Sequence, residues 1–347
     1  LPAESSWCNS MKAVAYFESL AIDDPRALQD VELPEPVPGP RDLLVEVRAI
    51  SVNPVDTKVR RNTQPEAGQP KVLGWDVAGV VVGSGSEVSL FKVGDEVFYA
   101  GFIPRAGGNS ERHLVDERIV GRKPRSLSFA EAVALPLTAI TAWELLFERL
   151  QLVEGQGAGQ QLLIVGAAGG VGSIMLQLAR QLTKVSVIDT ASRAETQAWT
   201  RELGAHHVID HSQPLHAELL RAGFASVSHV ASLTQTDRHF DQLVEALTPQ
   251  GRLALIDDPA QPLDVMKLKR KSLSLHWELM FTRSLFETPD MIEQHHLLQR
   301  VSQLVDLGVL RSTLGEHFGT INAANLRRAH ALLESGKAKG KIVLERF

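Results

Sequence analysis

Apolar and polar residues alternate differently in the two parts of this chain. Up to about residue 130, short apolar segments typical of strands, such as 43–47 and 77–82, are separated by turn residues at 34–40 and 92–95. This pattern predicts a small, β-rich, barrel-like domain.

From Phe129 onwards the pattern changes to helix, and then strands and helices alternate. The predicted strands are 162–166, 184–189, 207–209 and 251–256, with a further extended stretch at 227–231. The predicted helices are 170–182, 193–203, 238–247 and, last, an amphipathic helix at 291–307. Such alternation indicates a parallel sheet covered by helices on both faces. We expect the segment 340–344 to be a strand that returns to the first domain.

A glycine-rich turn joins the first strand of this second part to its helix. It reads Gly166-Ala167-Ala168-Gly169-Gly170-Val171-Gly172. A helix start offers free N–H groups and a positive dipole end to phosphates, and glycine lets the backbone approach a ligand closely. We therefore predict a dinucleotide pyrophosphate site at Gly166, Ala168, Gly169, Gly170, Val171 and Gly172.

The composition narrows the class of protein. The 347 residues are 44% hydrophobic and 22% charged, with a net charge of −5, which is typical of a soluble enzyme with two domains. The acidic balance and the lack of a long uncharged apolar run lead us to expect neither a nucleic-acid nor a membrane partner. A single cysteine, Cys8, cannot form an internal disulfide and fits a cytoplasmic location. We interpret Leu1–Ser10 as a remnant of recombinant expression, and Met11 as the natural start.

Six segments, in order, resemble the medium-chain dehydrogenase/reductase superfamily, and within it the zinc-free quinone oxidoreductase and zeta-crystallin-like branch. They are 51–56 (SVNPVD), 73–79 (LGWDVAG), 93–97 (VGDEV), 135–143 (LPLTAITAW), the glycine-rich turn and 336–344 (GKAKGKIVL). The resemblance covers Met11 to Phe347 and extends to a subgroup often labelled zinc-type alcohol dehydrogenase-like. It implies an α/β fold. A GroES-like β-barrel catalytic domain would span 11–136 and 309–347, and a Rossmann domain with a doubly wound parallel sheet would span 137–308.

The positions that bind zinc in some relatives hold other residues here. The resemblance places a zinc-binding cysteine within 51–56, where this chain has Asn53 and Asp56, and a zinc-binding histidine where it has Trp75. A catalytic zinc needs three ligands of the Cys, His or carboxylate type. The adjacent pairs His206-His207 and His295-His296 diverge in direction on a strand or a helix, so we expect ordinary histidines there. We therefore expect no zinc.

Without a metal, hydride transfer from a nicotinamide suits acceptors whose reduced product is a delocalised anion. The expected substrates are quinones and α,β-unsaturated carbonyls. The resemblance implies that Asn53 and Asp56 line the pocket; we expect Asn53 to donate to substrate oxygen or cofactor amide, whereas Asp56 could instead cap the helix expected at 57–61. Lys58 either donates a proton or extends into solvent.

The resemblance also implies that Thr138, Thr141 and Lys341 lie near the nicotinamide end of the cofactor. Alternative interpretations are hydrogen bonds to helix carbonyls for the threonines and solvation for the lysine. At the end of the second strand, Asp189 is placed by its distance from the glycines to bind a ribose hydroxyl, which favours NADH. Ser192 and Arg193 suit the extra phosphate of NADPH. We favour NADPH, with NADH possible.

Two further expectations concern assembly and alternatives. Relatives are commonly dimers joined edge to edge, and 271–277 is the segment that we assign to such an edge in a homodimer. Two other functions stay open: a zinc-dependent alcohol dehydrogenase, and a cofactor-binding or crystallin-like protein whose turnover is incidental.

Overall fold

The computed structural model describes residues 9–347. The strands are β1 (Ser10–Tyr16), β2 (Gln29–Pro34), β3 (Asp42–Val52), β4 (Lys71–Val72), β5 (Val77–Ser84), β6 (Glu96–Tyr99), β7 (Arg112–Asp116), β8 (Val120–Arg122), β9 (Gln161–Val165), β10 (Ser186–Thr190), β11 (His207–Ile209), β12 (Val227–Ser232), β13 (Leu247–Leu255), β14 (Ser274–Trp277), β15 (Leu314–His317) and β16 (Lys341–Glu345). The helices are α1 (Pro54–Asn62), α2 (Phe129–Val133), α3 (Pro136–Trp143), α4 (Gly170–Leu182), α5 (Ala194–Leu203), α6 (Leu215–Arg221), α7 (Thr236–Ala246), α8 (Thr282–Leu285), α9 (Glu293–Asp306) and α10 (Ala323–Glu334). Short 3-10 turns lie at Glu117–Ile119 and Val265–Lys271, and a π-helical turn lies at Glu144–Arg149.

The described residues form two compact units. One comprises the chain up to Leu137 together with Phe281–Phe347, and the other is Thr138–Met280. The predicted division had placed residues 281–308 in the second domain, whereas the structure places them in the first. The reason is the packing of α9: His295 donates from Nδ1 to the Val120 carbonyl, and the Gln299 side chain accepts from the Arg122 N–H.

The second unit contains a six-stranded parallel sheet in the order β11-β10-β9-β12-β13-β14. This is the strand order of a Rossmann fold. The first three strands extend from the centre towards one edge of the sheet, and the last three extend from the centre towards the other edge. The central strand β9 is buried on both faces, with Leu163 and Val165 on one face and Leu162 and Ile164 on the other. The predicted α/β class with a parallel sheet is confirmed.

The edge strand β14 begins later than predicted. Val265–Lys271 is a 3-10 turn, and Ser272 has a left-handed φ of 52°, so the extended segment starts at Ser274. Trp277, at the end of β14, is 53% exposed. The predicted edge position is confirmed, while a homodimer joined through it stays a prediction.

Besides the four-residue α8, sequence periodicity missed two helices, α6 and α10. Helix α6 has seven residues, of which Leu215 and Leu219 are buried, and α10 buries small residues such as Ala323 and Ala329. Both give weak apolar patterns because one is short and the other is rich in alanine.

In the first unit, β3 is the central strand. Its eleven residues pair with β5, β7 and β16, all antiparallel, within a seven-stranded sheet. A separate three-stranded sheet has the order β2-β1-β4. The pairing of β16 with β3 brings Lys341 beside the end of β3, and α1 begins two residues after that end.

One helical stretch, Phe129–Arg149, is long and apolar enough to cross a membrane by length and composition alone. Because 78% of its most apolar window is buried within the protein, it has the character of a core helix.

The glycine-rich turn depends on a close approach between backbones. A Cβ added at Gly172 would lie 2.1 Å from Ala167 Cα, and Gly166 has φ +89°. Near Gly169, in contrast, an added Cβ would meet nothing closer than the Gly166 carbonyl oxygen at 3.7 Å. The missing side chain of Gly172 therefore allows the backbone of α4 to pack against Ala167, directly after β9. The space beside Gly169 is open to a ligand.

We predict that Gly172→Ala lowers the free energy of unfolding by about 2 kcal/mol or more, because backbone atoms block the added methyl group. Urea unfolding without cofactor measures the change. The matched control is Gly169→Ala in the same turn, which should cost less than about 1 kcal/mol. Equal effects of the two substitutions would contradict the assigned backbone contact.

Candidate active site

Four side chains form a buried cluster where β3, α1 and β16 meet. Asn53 is 1% exposed, Asp56 1%, Asp76 0% and Lys341 3%. Lys341 Nζ donates to Asn53 Oδ1 and, at 2.9 Å, to Asp76 Oδ2. Asn53 Nδ2 donates to the same Asp76 oxygen at 2.8 Å. An ammonium, an amide and a carboxylate therefore bond to one another, out of contact with solvent.

Asp56 joins this cluster through the backbone. Its Oδ2 accepts from the Asn53 N–H at 2.8 Å, which makes Asp56 the third residue of α1 and Asn53 the residue that precedes the helix. Helix α1 thus begins at Pro54, earlier than the predicted 57–61, because proline suits a first helical position and Asp56 satisfies the free N–H. The capping interpretation of Asp56 is the one that this geometry shows.

Asp76 connects the cluster to another helix. Its second oxygen, Oδ1, accepts from the Leu137 N–H at 2.8 Å, in the first turn of α3. An ionised carboxylate satisfies a free N–H there and interacts favourably with the positive end of the helix dipole. Asp76 was not among the residues predicted from the sequence; a charged residue directly before the apolar run 77–82 was the signal available.

Burial changes the acidity of both carboxyl groups. It raises the pKa of Asp56 to about 7, although the Asn53 N–H and the Lys341 ammonium oppose that change. Burial also raises the pKa of Asp76, against the effect of the Lys341 ammonium and the Asn53 amide. Asn53 and Lys341 thus both favour negative charge on the two acids.

The expected role of Asn53 as a direct donor to a ligand is not what this geometry offers. Its side chain is buried, and its amide bonds inward to Lys341 and Asp76, with a longer contact of 3.5 Å from Nδ2 to the Trp75 carbonyl. Lys341, which was expected near the cofactor or in solvent, is instead bonded inside the same cluster. Lys58 lies half-buried on α1, and its role as a proton donor stays a prediction.

The residues at the expected metal positions do not fit zinc. Within residues 9–347, no group of three or more His, Cys, Asp or Glu side chains is placed to hold a metal ion. The oxygens of Asn53 and Asp76 already bind the Lys341 ammonium, whose positive charge would repel a second cation. Trp75, at the expected histidine position, is a buried indole without a lone pair to donate. Cys8 lies outside the described residues.

The paired histidines have separate surroundings. His206 accepts from the Val187 N–H, while His207 packs edge-on against Phe224. His295 bonds to the Val120 carbonyl, and His296 pairs with Glu293. Each histidine therefore has its own bonding or packing partner, although the rings of His295 and His296 also lie 5.5 Å apart.

In the second unit, the glycine-rich turn fits a pyrophosphate. Gly166, Ala168, Gly169, Gly170 and Val171 are partly exposed, whereas Gly172 is buried. Gly169 directly precedes α4, and no side chain caps that helix start. The first N–H groups of α4 are thus available to phosphate oxygens, in the arrangement that dinucleotides use.

Asp189, which its spacing places near a ribose, is buried beside the glycine-rich turn. It is 0% exposed, and its Oδ1 accepts from the Ala167 N–H at 3.2 Å, while neighbouring Thr190 Oγ1 accepts from the Gly166 N–H at 3.0 Å. Burial raises the pKa of Asp189 to about 7. Asp189 is therefore bonded to the glycine-rich turn, and its contact with a ribose stays a prediction.

Ser192 and Arg193 are exposed just after this point, with Arg193 directly preceding α5. On α3, Thr138 and Thr141 are both buried, and their contact with a nicotinamide stays a prediction. The structure therefore brings Asn53, Asp56 and Lys341 together, and it places the glycine turn, Asp189, Ser192 and Arg193 in one region of the second unit.

The chain is similar to known proteins in sequence and in fold. A family profile described as alcohol dehydrogenase GroES-like domain matches residues 39–143, and one described as zinc-binding dehydrogenase matches residues 203–344. A zinc-type alcohol dehydrogenase-like protein of Staphylococcus aureus is 37% identical over 336 residues, which cover 96% of this chain and 99% of that protein. A quinone oxidoreductase of Pseudomonas aeruginosa is 30% identical over 329 residues, covering 93% and 97%.

Among solved structures, a crystal structure from Rhizobium etli CFN 42, provisionally named a zinc-dependent alcohol dehydrogenase, superposes with a TM-score of 0.94. It is 57% identical and covers 98% of this chain and 99% of its own. The printed names of these relatives thus differ on whether zinc takes part.

We predict that Asp189→Asn flattens the pH dependence of stability. The folded pKa of about 7 lies above the ordinary value of 3.8, so between these values the folded state keeps a proton that the unfolded chain has lost. The contribution of Asp189 to the free energy of unfolding should therefore fall as pH rises from about 4 to 7, by at most about 1.4 kcal/mol per pH unit.

The measurement is urea unfolding of the cofactor-free protein at several pH values from 5 to 8. Asparagine retains the acceptor for Ala167 but cannot titrate, so the variant should gain stability relative to the native protein as pH rises. Glu154→Gln, at an exposed position of the same unit, is the control. A constant difference between Asp189→Asn and the native protein would contradict the assignment.

Proposed function

Because the chain belongs to the medium-chain dehydrogenase/reductase superfamily of NAD(P)H-dependent oxidoreductases, we propose that it is a zinc-independent, NADPH-dependent reductase of quinones or α,β-unsaturated carbonyls. The observation that supports this most is the buried Lys341 ammonium, which binds the oxygens of Asn53 and Asp76. These oxygens are bonded to a lysine, and residues 9–347 offer no group of three or more His, Cys, Asp or Glu side chains for a catalytic metal.

The absence of a Lewis acid restricts the acceptor. Reduction of a simple ketone or aldehyde places negative charge on one alkoxide oxygen, which a metal stabilises strongly. Reduction of a quinone or an enal instead gives a delocalised anion, for which hydrogen bonds and positioning are sufficient. The quinone oxidoreductase relative agrees with this choice of substrate.

For the cofactor, the first turn of α4 would hold the pyrophosphate, and Ser192 and Arg193 would bind the 2′-phosphate of NADPH. The nicotinamide would supply the hydride. Since Asp189 is buried under the glycine turn, it does not repel a phosphate at the ribose. The local arrangement thus supports NADPH over NADH.

We predict reductase activity that does not depend on metal. NADPH oxidation, followed at the nicotinamide absorbance, should occur with 9,10-phenanthrenequinone, benzoquinone or an enal. Treatment with EDTA should change kcat/KM by less than about twofold, because no step needs a Lewis acid. A simple aldehyde is the comparison substrate.

Activity confined to the aldehyde, abolished by EDTA and restored by zinc, would contradict this proposal and favour an alcohol dehydrogenase. NADPH binding without turnover of any acceptor would instead favour a binding role.

We also predict that Arg193→Ala lowers kcat/KM for NADPH by about 10- to 100-fold, the effect of losing a charge-assisted hydrogen bond. Activity with NADH should be unchanged, since NADH has no 2′-phosphate. Steady-state kinetics with both cofactors measure the ratio. Arg201→Ala, on the exposed side of the same helix, is the matched control.

Asp189→Asn should leave the NADPH/NADH ratio as it is in the native protein. A shift of that ratio towards NADPH would show that Asp189 does bind the ribose. An equal loss with both cofactors in Arg193→Ala would show that the arginine does not bind the 2′-phosphate.

A further inference from the structure

The Lys341 ammonium joins three segments that are far apart in the sequence. Lys341 is the first residue of β16, Asn53 follows β3, and Asp76 precedes β5. The bond from Lys341 to Asn53 spans 288 residues of sequence, and the bond to Asp76 spans 265. A single side chain thus fixes where these segments meet.

Hydrogen-bond chemistry allows the Asn53 amide only one orientation in this cluster. Lys341 can only donate, and an ionised Asp76 can only accept. Asn53 therefore turns Oδ1 towards the ammonium and Nδ2 towards the carboxylate, as the two bonds show. The reversed amide would place donor against donor and acceptor against acceptor.

The same ammonium acts on α3 through Asp76. Its charge favours the ionised form of Asp76, and Asp76 Oδ1 accepts the Leu137 N–H at 2.8 Å. Leu137 is bonded directly to Thr138, and Thr141 follows one turn later. The N–H of Leu137, in the first turn of α3, thus bonds to a carboxylate that Lys341 also holds.

We propose that Lys341 is a positioning residue for hydride transfer, whose ammonium fixes the Asn53 amide and, through Asp76, the first turn of α3. The proposal rests on the proposed function only in naming the reaction. It predicts that the loss of this charge impairs the chemical step more than the binding of NADPH, because small displacements of positioned groups are costly in catalysis.

The test compares Lys341→Met with variants that separate charge from position. Lys341→Met removes the ammonium and leaves Asp76 buried without a counter-ion, which destabilises the fold. The double variant Asp76→Asn/Lys341→Met removes both charges, and we expect it to recover most of the lost thermal stability. It should not recover turnover, since the bonds to the ammonium stay absent.

Kinetically, Lys341→Met should lower kcat about 100-fold while KM for NADPH changes less than about threefold. Lys341→Arg, which retains the charge, should recover kcat to within about tenfold of the native value. Lys337→Met is the control at an exposed lysine of the same segment. If Lys341→Met does not fold, Lys341→Gln, which retains a donor without the charge, takes its place.

Hydrogen exchange supplies a readout that does not depend on any substrate. Without the ammonium, peptides that cover residues 135–141 should exchange at least about tenfold faster, because the Leu137 N–H loses an ionised acceptor. Peptides that cover α4 should exchange as in the native protein. This measurement remains informative if the native protein reduces none of the acceptors, a result that would overturn only the proposed function.

Two results would overturn the proposal. In the first, the double variant recovers kcat together with stability, which would mean that Lys341 only neutralises Asp76. In the second, exchange at 135–141 is unchanged in Lys341→Met, which would mean that the ammonium does not hold α3.

Discussion

The arrangement of the first unit depends on one buried ion pair, between Lys341 and Asp76. Both side chains are almost fully removed from water, and a buried charge is stable only when it is paired and its remaining hydrogen-bonding groups are satisfied. Asn53 and the Leu137 N–H satisfy the pair, and Asp56 holds the Asn53 backbone. The end of β3 and the starts of α1, α3 and β16 are positioned by this requirement.

Local sequence patterns were sufficient to predict many of the helices and strands of the second unit. The predicted helix at 170–182 matches α4, because glycines and an apolar helix face are local signals. The parallel sheet followed from the alternation of strands and helices. Helix α6 was too short for its pattern to be seen. The packing of α9 against β8 was not predictable either, since its buried face does not say which domain covers it.

The candidate site was harder to predict because its contacts are not local. Both faces of β10 are buried, so the alternation of polar and apolar residues does not indicate which way each side chain points. It could not predict that the Asp189 carboxylate bonds to the glycine-rich turn. The motif around Asn53 and Lys341 indicated that both matter, yet their bond joins residues 288 positions apart. Sequence patterns can single out Asn53 and Lys341 one by one. That the two side chains bond to each other depends on the pairing of β16 with β3.

The buried ammonium limits the chemistry that this cluster can supply. A zinc ion and a lysine ammonium both supply positive charge, but only zinc can accept a lone pair from a substrate oxygen. A lysine in such a site can hold side chains in place without polarising a carbonyl by coordination. Under the proposed function, such a lysine would favour acceptors that delocalise the charge of the incoming hydride, and the protein would contribute orientation and electrostatics instead of coordination.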